Sequence, residues 1–218
     1  MKPILALLAS PRPAGTSEQV AALFAEGARE SGCPVSLVAL RDYRLAPCRS
    51  CGACAAPPFR CALSRDGDQT EEIFLRLRAA PLILLCSPIH FYALPASFQG
   101  FIERSQRFWQ ALQKIDGPPP STRPTPVLAA LVAGRRRGRQ LFSGALLTLR
   151  YFLALHAAAI VEKRLLRGME CPADLLARPA LCRTLRAWGR KWGTALQQAE
   201  SAENSPERSP KPPCRSNA

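Results

Sequence analysis

"ILALLASPRPAGTSEQV" (residues 4–20) passes from an unbroken apolar run, through a turn of prolines and hydroxyl side chains, into a helical pattern. A short, wholly apolar run such as 4–9 suits a strand buried on both faces, as in a parallel sheet. Beyond the turn, Val20, Leu23, Phe24, Gly27 and Ala28 keep the i, i+3, i+4, i+7, i+8 rhythm of one helix face. Thr16 and Gln19 fit a capping box at its start, and Gly32 can end it.

The same alternation continues along the chain. Strands are expected at 34–40, 82–87, 127–133 and 157–162. Helices are expected over 69–80, capped by Asp68 and Glu71, and over 139–156 and 179–199. Pro95 suits the first turn of one long helix carrying Phe98, Phe101, Ile102, Phe108, Trp109 and Leu112, as core or subunit interface. "DGPPPSTRPTP" (116–126) reads as a stiff linker. Residues 1–199 therefore form one domain, and 200–218, which includes Cys214 and lacks apolar content, reads as a disordered tail. Five strands alternating with helices imply right-handed crossovers and an α/β fold with both sheet faces covered. In such sheets ligands bind beyond the carboxyl ends of the strands, so the loops after the first and third strands are the places to look.

At 218 residues and 47 % hydrophobic composition the chain can bury a sizeable core. The opening apolar run is too short for a signal-peptide core, and Pro88, His90 and Pro95 interrupt the most apolar region, so neither secretion nor a membrane span is expected. A cytoplasmic address follows. The net charge of +14 is uneven: 13 basic against 10 acidic residues over 1–118, but 14 against 3 over 119–198. Only "GRRRGR" (134–139) is a true basic run, and no nucleic-acid-binding signature accompanies it, so nucleic acid is not an expected partner.

The first loop brings Ser10, Thr16 and Ser17 hydroxyls, the Arg12 guanidinium and a permissive Gly15 to a helix N-terminus, whose unpaired N–H groups favour a phosphate. It carries neither the Gly-Lys-Ser/Thr of a P-loop nor a dinucleotide GxGxxG, and on local sequence alone it is equally a polar turn. A second cluster, "PCRSCGACAAPPFRC" (47–61), holds Cys48, Cys51, Cys54 and Cys61 in the spacing C-x2-C-x2-C-x6-C. Two-residue gaps can curl three thiolates round one face of a [4Fe–4S] cubane, Gly52 permits the tight curl, and the excursion through Pro57 and Pro58 returns the fourth. Structural zinc, a disulfide staple and a loop holding nothing are the competing readings. Arg44, Arg49 and Arg60 flank the cluster and would offset its negative charge. Cys33, Cys86, Cys171 and Cys182 read as small core residues, and His90 and His156 as structural histidines.

"SPRPAGTS" (10–17) and "CSPIHFYALPASFQGFIERS" (86–105), in this order and spacing, resemble the NADPH-dependent FMN reductase family over roughly residues 3–165. With the cysteine cluster between them, the resemblance is to its iron–sulfur flavoprotein branch. It implies a flavodoxin-like three-layer sandwich with a five-stranded parallel sheet of order 2-1-3-4-5. It places the FMN phosphate on Ser10, Arg12, Thr16 and Ser17, the flavin ring along Pro88, Ile89, His90, Phe91 and Tyr92, and the loop from Gly134 to Gly138 on the ring's far side. Ala9, His90, the bulky 92–94 turn and Arg135–Arg137 depart from the family pattern. The implied protein is an FMN-dependent oxidoreductase with a [4Fe–4S] cluster on the four cysteines and no acid–base constellation. Electrons would come from NAD(P)H or a ferredoxin-like acidic carrier, in a homodimer or homotetramer. Arg135–Arg137 would grip a nucleotide 2′-phosphate or that carrier. A clusterless NAD(P)H:flavin or quinone reductase, and a flavodoxin-fold binding module with a zinc loop, are the alternatives.

Overall fold

The computed structural model describes residues 2–65, 67–114 and 123–203. Strands β1 (Ile4–Leu8), β2 (Val35–Ala39), β3 (Ile83–Pro88), β4 (Thr125–Ala133) and β5 (Ala158–Arg167) form one parallel sheet in the order β2-β1-β3-β4-β5. Helices α1 (Thr16–Glu30), α2 (Thr70–Ala79), α3 (Ala96–Glu103), α4 (Gln106–Leu112), α5 (Ser143–Ala154), α6 (Pro172–Leu176) and α7 (Pro179–Glu203) complete the chain. This is the flavodoxin-like order expected from the sequence.

Strand periodicity divides the apolar residues between two cores. Leu5, Leu7, Ile83 and Leu85 face a cluster with Phe74 of α2, Phe98 and Phe101 of α3, Phe108 of α4 and Phe152 of α5. Ile4, Ala6, Leu84 and Cys86 face the other side, against Phe24 of α1 and Leu185 and Trp188 of α7. Helices α1 and α7 touch backbone to backbone. A Cβ on Gly189 would stand 2.0 Å from the Phe24 carbonyl oxygen, and one on Gly27 would stand 1.9 Å from that of Arg186.

Several expectations are corrected. The long helix after Pro95 is two helices, interrupted at Arg104 and Ser105, because the Arg104 side chain turns inward (1 % exposed) to pair with Asp68. Helix α1 has Gly15 as its N-cap and no side-chain cap, so the Thr16–Gln19 box does not form. Glu71 does not cap α2 but pairs with Arg107, while Asp68 Oδ1 accepts the Thr70 N–H at 3.2 Å. The linker 116–126 gives way to β4 at Thr125. Pro126 is tolerated as the second residue of that strand, and residues 115–122 lie outside the described ones. Strand β5 reaches Arg167 rather than 162, with an irregularity opposite Val127/Leu128. Cys33 and Cys86 are buried, but Cys171 is exposed as the N-cap of α6 and Cys182 is half-buried. Helix α7 continues past residue 199 to Glu203; residues 204–218, Cys214 among them, lie outside the described ones. Among the described residues no helix is long and apolar enough to cross a membrane.

Candidate functional site: a crevice at the strand ends and a cysteine loop

The apolar run of β1 ends at Ala9, and the chain turns sharply into α1. Ser10 fixes the turn: its hydroxyl donates to the Arg12 carbonyl oxygen at 2.8 Å and accepts the Arg12 N–H at 3.2 Å. Ser10, Thr16 and Ser17 are buried, and the Thr16 hydroxyl has no hydrogen-bond partner. An orphan hydroxyl and an uncapped helix N-terminus at one place suit an anion, which would accept from the hydroxyl and the free N–H groups together. They open on a cavity of about 330 Å³ that also takes Arg12 and Gly15 from this turn, Pro88, Ile89 and His90 from the end of β3, and Gly134 after β4. The arrangement therefore offers a phosphate seat at one end and strand-end backbone along its length, which fits a flavin mononucleotide.

An adjoining cavity of about 290 Å³ shares Ile89, Gly134 and Glu170 with the first and is walled by Phe91, Tyr92, Arg135 and Leu141. Phe91 and Tyr92 occupy consecutive left-handed positions (φ 49° and 65°), closed by reciprocal backbone bonds between His90 and Ala93 of 3.0 and 2.9 Å. Bulky residues there are strained, and the turn leaves Phe91 fully exposed. Tyr92 reaches the loop after β4: Arg135 lies over its ring at 5.7 Å and donates to its hydroxyl at 3.4 Å. Thus Ser10, Arg12, Thr16, Ser17, Pro88, Ile89, His90 and Gly134 meet at one cavity, while Phe91 and Tyr92 border its neighbour. Sequence reasoning missed Met169 and Glu170, which line the first cavity. A Cβ on Gly134 would collide with the Glu170 carboxylate, at 1.8 Å, so that glycine makes room for the acid.

The cysteine loop leaves β2 through a short 3-10 turn (Leu40–Asp42) and runs to α2. Left-handed backbone at Ser50 (φ 51°) and Gly52 (φ 73°) curls it. Cys48, Cys51, Cys54 and Cys61, all free thiols, line one cavity of about 390 Å³ with Gln106 and Gln110 of α4. The Ser50 N–H points at Cys48 Sγ, 3.4 Å away. Burial raises the Cys54 pKa, a backbone hydrogen bond offsets part of that, and the crowding of the other three sulfurs adds to the rise. Among the described residues no group of three or more His, Cys, Asp or Glu side chains is drawn together tightly enough for a single metal ion. The donor set is four sulfurs lining one space, a type of ligand that binds iron or zinc as thiolates.

Arg104, which sequence analysis did not single out, holds this loop in place. Its guanidinium donates to the Ala46 carbonyl oxygen at 2.7 Å and to both Asp68 oxygens at 3.0 Å. Burial disfavours its charge, but Asp68 and then Cys61 outweigh that, so its pKa lies above the usual value. Asp68 shows the mirror effect. Burial alone would raise its pKa, yet the bonds from Arg104 and the Ala46 and Thr70 N–H groups bring it below the ordinary carboxylate range. Of the two histidines, His90 borders the crevice. His156 is buried: its Nδ1 accepts from Arg78 Nε at 3.4 Å, which leaves Nε2 to donate to the Ser105 hydroxyl at 3.0 Å.

A family model described as NADPH-dependent FMN reductase matches residues 2–166. An iron–sulfur flavoprotein of Methanosarcina thermophila is 31 % identical over 102 residues, 47 % of this chain and 51 % of that protein. One of Methanocaldococcus jannaschii is 26 % identical over 117 residues, 52 % of this chain and 58 % of that protein. The chain thus spans little more than half the length of these curated relatives. Among solved structures, an NAD(P)H:quinone oxidoreductase from Methanothermobacter marburgensis superposes with a TM-score of 0.63 at 19 % identity, covering 88 % of this chain and 96 % of that one. Fold order, crevice and matched length agree, and the chain belongs to the NADPH-dependent FMN reductase family.

Proposed function

We propose that this chain is an FMN-dependent oxidoreductase that exchanges electrons with NAD(P)H or a ferredoxin-like carrier, and that its four clustered cysteines hold a [4Fe–4S] cluster. The observation that carries the flavin reading is the buried, unpartnered Thr16 hydroxyl beside an uncapped helix N-terminus. Bound FMN would supply hydride and single-electron exchange, and a cluster one-electron exchange, so the two together would interconvert both kinds of traffic.

The chain's own residues bind and orient. Thr16, Ser17 and the first N–H groups of α1 would seat the phosphate, with Arg12 beside them and Ser10 holding the turn in shape. Pro88, Ile89 and His90 would run along one side of the ring, and Gly134 would give close approach on the other. Phe91 and Tyr92 would border the place where a nicotinamide reaches it. No proton donor is required of the protein, because hydride transfer needs none. Cys48, Cys51, Cys54 and Cys61 would ligate the cluster. Their place on one cavity and their spacing, two residues between the first three, support a cubane over the paired CxxC arrangement usual for zinc. Arg135–Arg137 would meet the 2′-phosphate of a pyridine nucleotide or an acidic carrier. A homodimer or homotetramer in a reducing cytoplasm completes the reading.

Anaerobic purification with quantification of flavin, iron and sulfide tests it. The wild-type chain is expected to carry FMN and iron; Cys51→Ser should lose iron and keep FMN, and Thr16→Val with Arg12→Ala should bind FMN at least tenfold more weakly. Yellow protein without iron leaves the clusterless reductase. Colourless protein with zinc leaves the binding module, and flavin affinity unchanged by the double substitution removes the phosphate seat.

A further inference from the structure

Cys61 separates two cavities. One is the cysteine-lined space; the other, of about 620 Å³, is walled by Arg60, Arg65 and Arg107 with Ser64 and Glu71. We infer that this second cavity is a binding site for a small phosphate-type dianion, held against the outer side of Cys61.

Charge leads to that ligand. Among the described residues, those that line the space carry three guanidiniums and one carboxylate, an excess of two positive charges. Arg107 is the fixed part of the wall. Its Nη2 pairs with Glu71, which also accepts the Ser64 hydroxyl at 3.2 Å, and its guanidinium carbon stands over the Phe108 ring, 3.9 Å from the centroid. Arg60 and Arg65 are exposed, and among the described residues neither makes an ion pair. Guanidinium forks match the oxygens of a phosphate, and several donors on one side of a concave space suit a tetrahedral anion. The volume lies in the metabolite range, which favours a small ligand over an acidic protein. The inference rests on charge and shape alone and does not depend on the proposed cluster.

The test is calorimetric titration of inorganic phosphate, at pH 8 and fixed ionic strength, into the full chain saturated with FMN so that the α1 seat is taken. One saturable site is expected. Arg60→Gln with Arg65→Gln should weaken it at least tenfold, Arg60→Lys with Arg65→Lys should recover most of that, and Arg135→Gln with Arg136→Gln should change it less than twofold. Both positions are exposed, and unchanged FMN content reports that the variants fold. Absence of a saturable site, or binding indifferent to the Arg60/Arg65 pair, overturns the assignment. So does capture of polyglutamate through these arginines without phosphate binding, which would give the face to an acidic polypeptide.

Discussion

Replacing Arg104 by Met is expected to remove about 3–5 kcal/mol of stability, the usual cost of breaking a buried ion pair from one side. The side chain is 1 % exposed and its partner Asp68 7 %, so water cannot substitute for the lost guanidinium. Two charge-assisted bonds to Asp68 at 3.0 Å and one to the Ala46 carbonyl oxygen at 2.7 Å vanish together. In a chain of this size the loss lowers the melting temperature by about 6–20 °C. Urea denaturation followed by circular dichroism at pH 7 measures it. The pH dependence has a definite sign. The Asp68 pKa is depressed in the folded state, so the pair's contribution is complete above the unfolded carboxyl value near 3.8. It fades as pH falls through the folded value, and the gap between wild type and variant should close there. Arg104→Met combined with Asp68→Asn should recover at least about 2 kcal/mol of the summed single losses, because neither charge is then left buried alone. A single-variant loss below about 1 kcal/mol, or strictly additive losses, would refute the assignment of Arg104 as the anchor of the cysteine loop.

Two further outcomes test the packing. Gly189→Ala places a methyl 2.0 Å from the Phe24 carbonyl oxygen and so pries α1 from α7. The expected cost is about 1–3 kcal/mol by urea melt, although alanine is the better helix former, and a stabilised variant would show that the helices are not so close. Burial, followed by the charges of Arg78 and Arg107, lowers the His156 pKa to about 3. The unfolded histidine protonates near pH 6.5 while the folded one stays neutral, so stability falls as pH drops through that window. His156→Phe, set among Phe74, Phe108 and Phe152, should flatten the slope by up to about 1.4 kcal/mol per pH unit, and an unchanged acid limb would deny the residue that role.

The strand–turn–helix at 4–30 was legible because both of its signals are local: an apolar run buried on two faces, and a 3.6-residue rhythm behind a polar turn. The interruption of the helix after Pro95 was not. It depends on a cation whose partner lies 36 residues away, and no periodicity reveals that an arginine will turn inward. Strand β5 was cut short because it is an edge strand. Exposed Val161, Lys163 and Leu165 alternate with half-buried Ile160, Glu162 and Arg164, a charged pattern unlike the apolar runs of β1 and β3. Ending it at 162 hid Met169 and Glu170, which only the longer strand carries to the crevice. Thr16 was assigned two uses, helix cap and phosphate ligand; Gly15 takes the N-cap position, so Thr16 stands inside the helix and its hydroxyl is left for the second.

The crevice and the cysteine loop are tied through α3. The turn 88–95 that borders the crevice leads straight into this helix, whose eight residues span about 12 Å. On its far part, Gly100 lets the loop approach, since a Cβ there would stand 3.2 Å from Pro47 Cβ, and Arg104, just past its end, grips Ala46 and Asp68. A short helix is stiff along its axis, so the separation between the two sites is set by its length and not by the loop itself. The loop can therefore change inside residues 48–61, including its cysteine content, without disturbing the flavin crevice, provided that Ala46, Pro47 and Asp68 keep their seats on α3. Clustered and clusterless forms of such a protein are thus mechanically compatible with one scaffold, and what separates them is sulfur chemistry inside the loop.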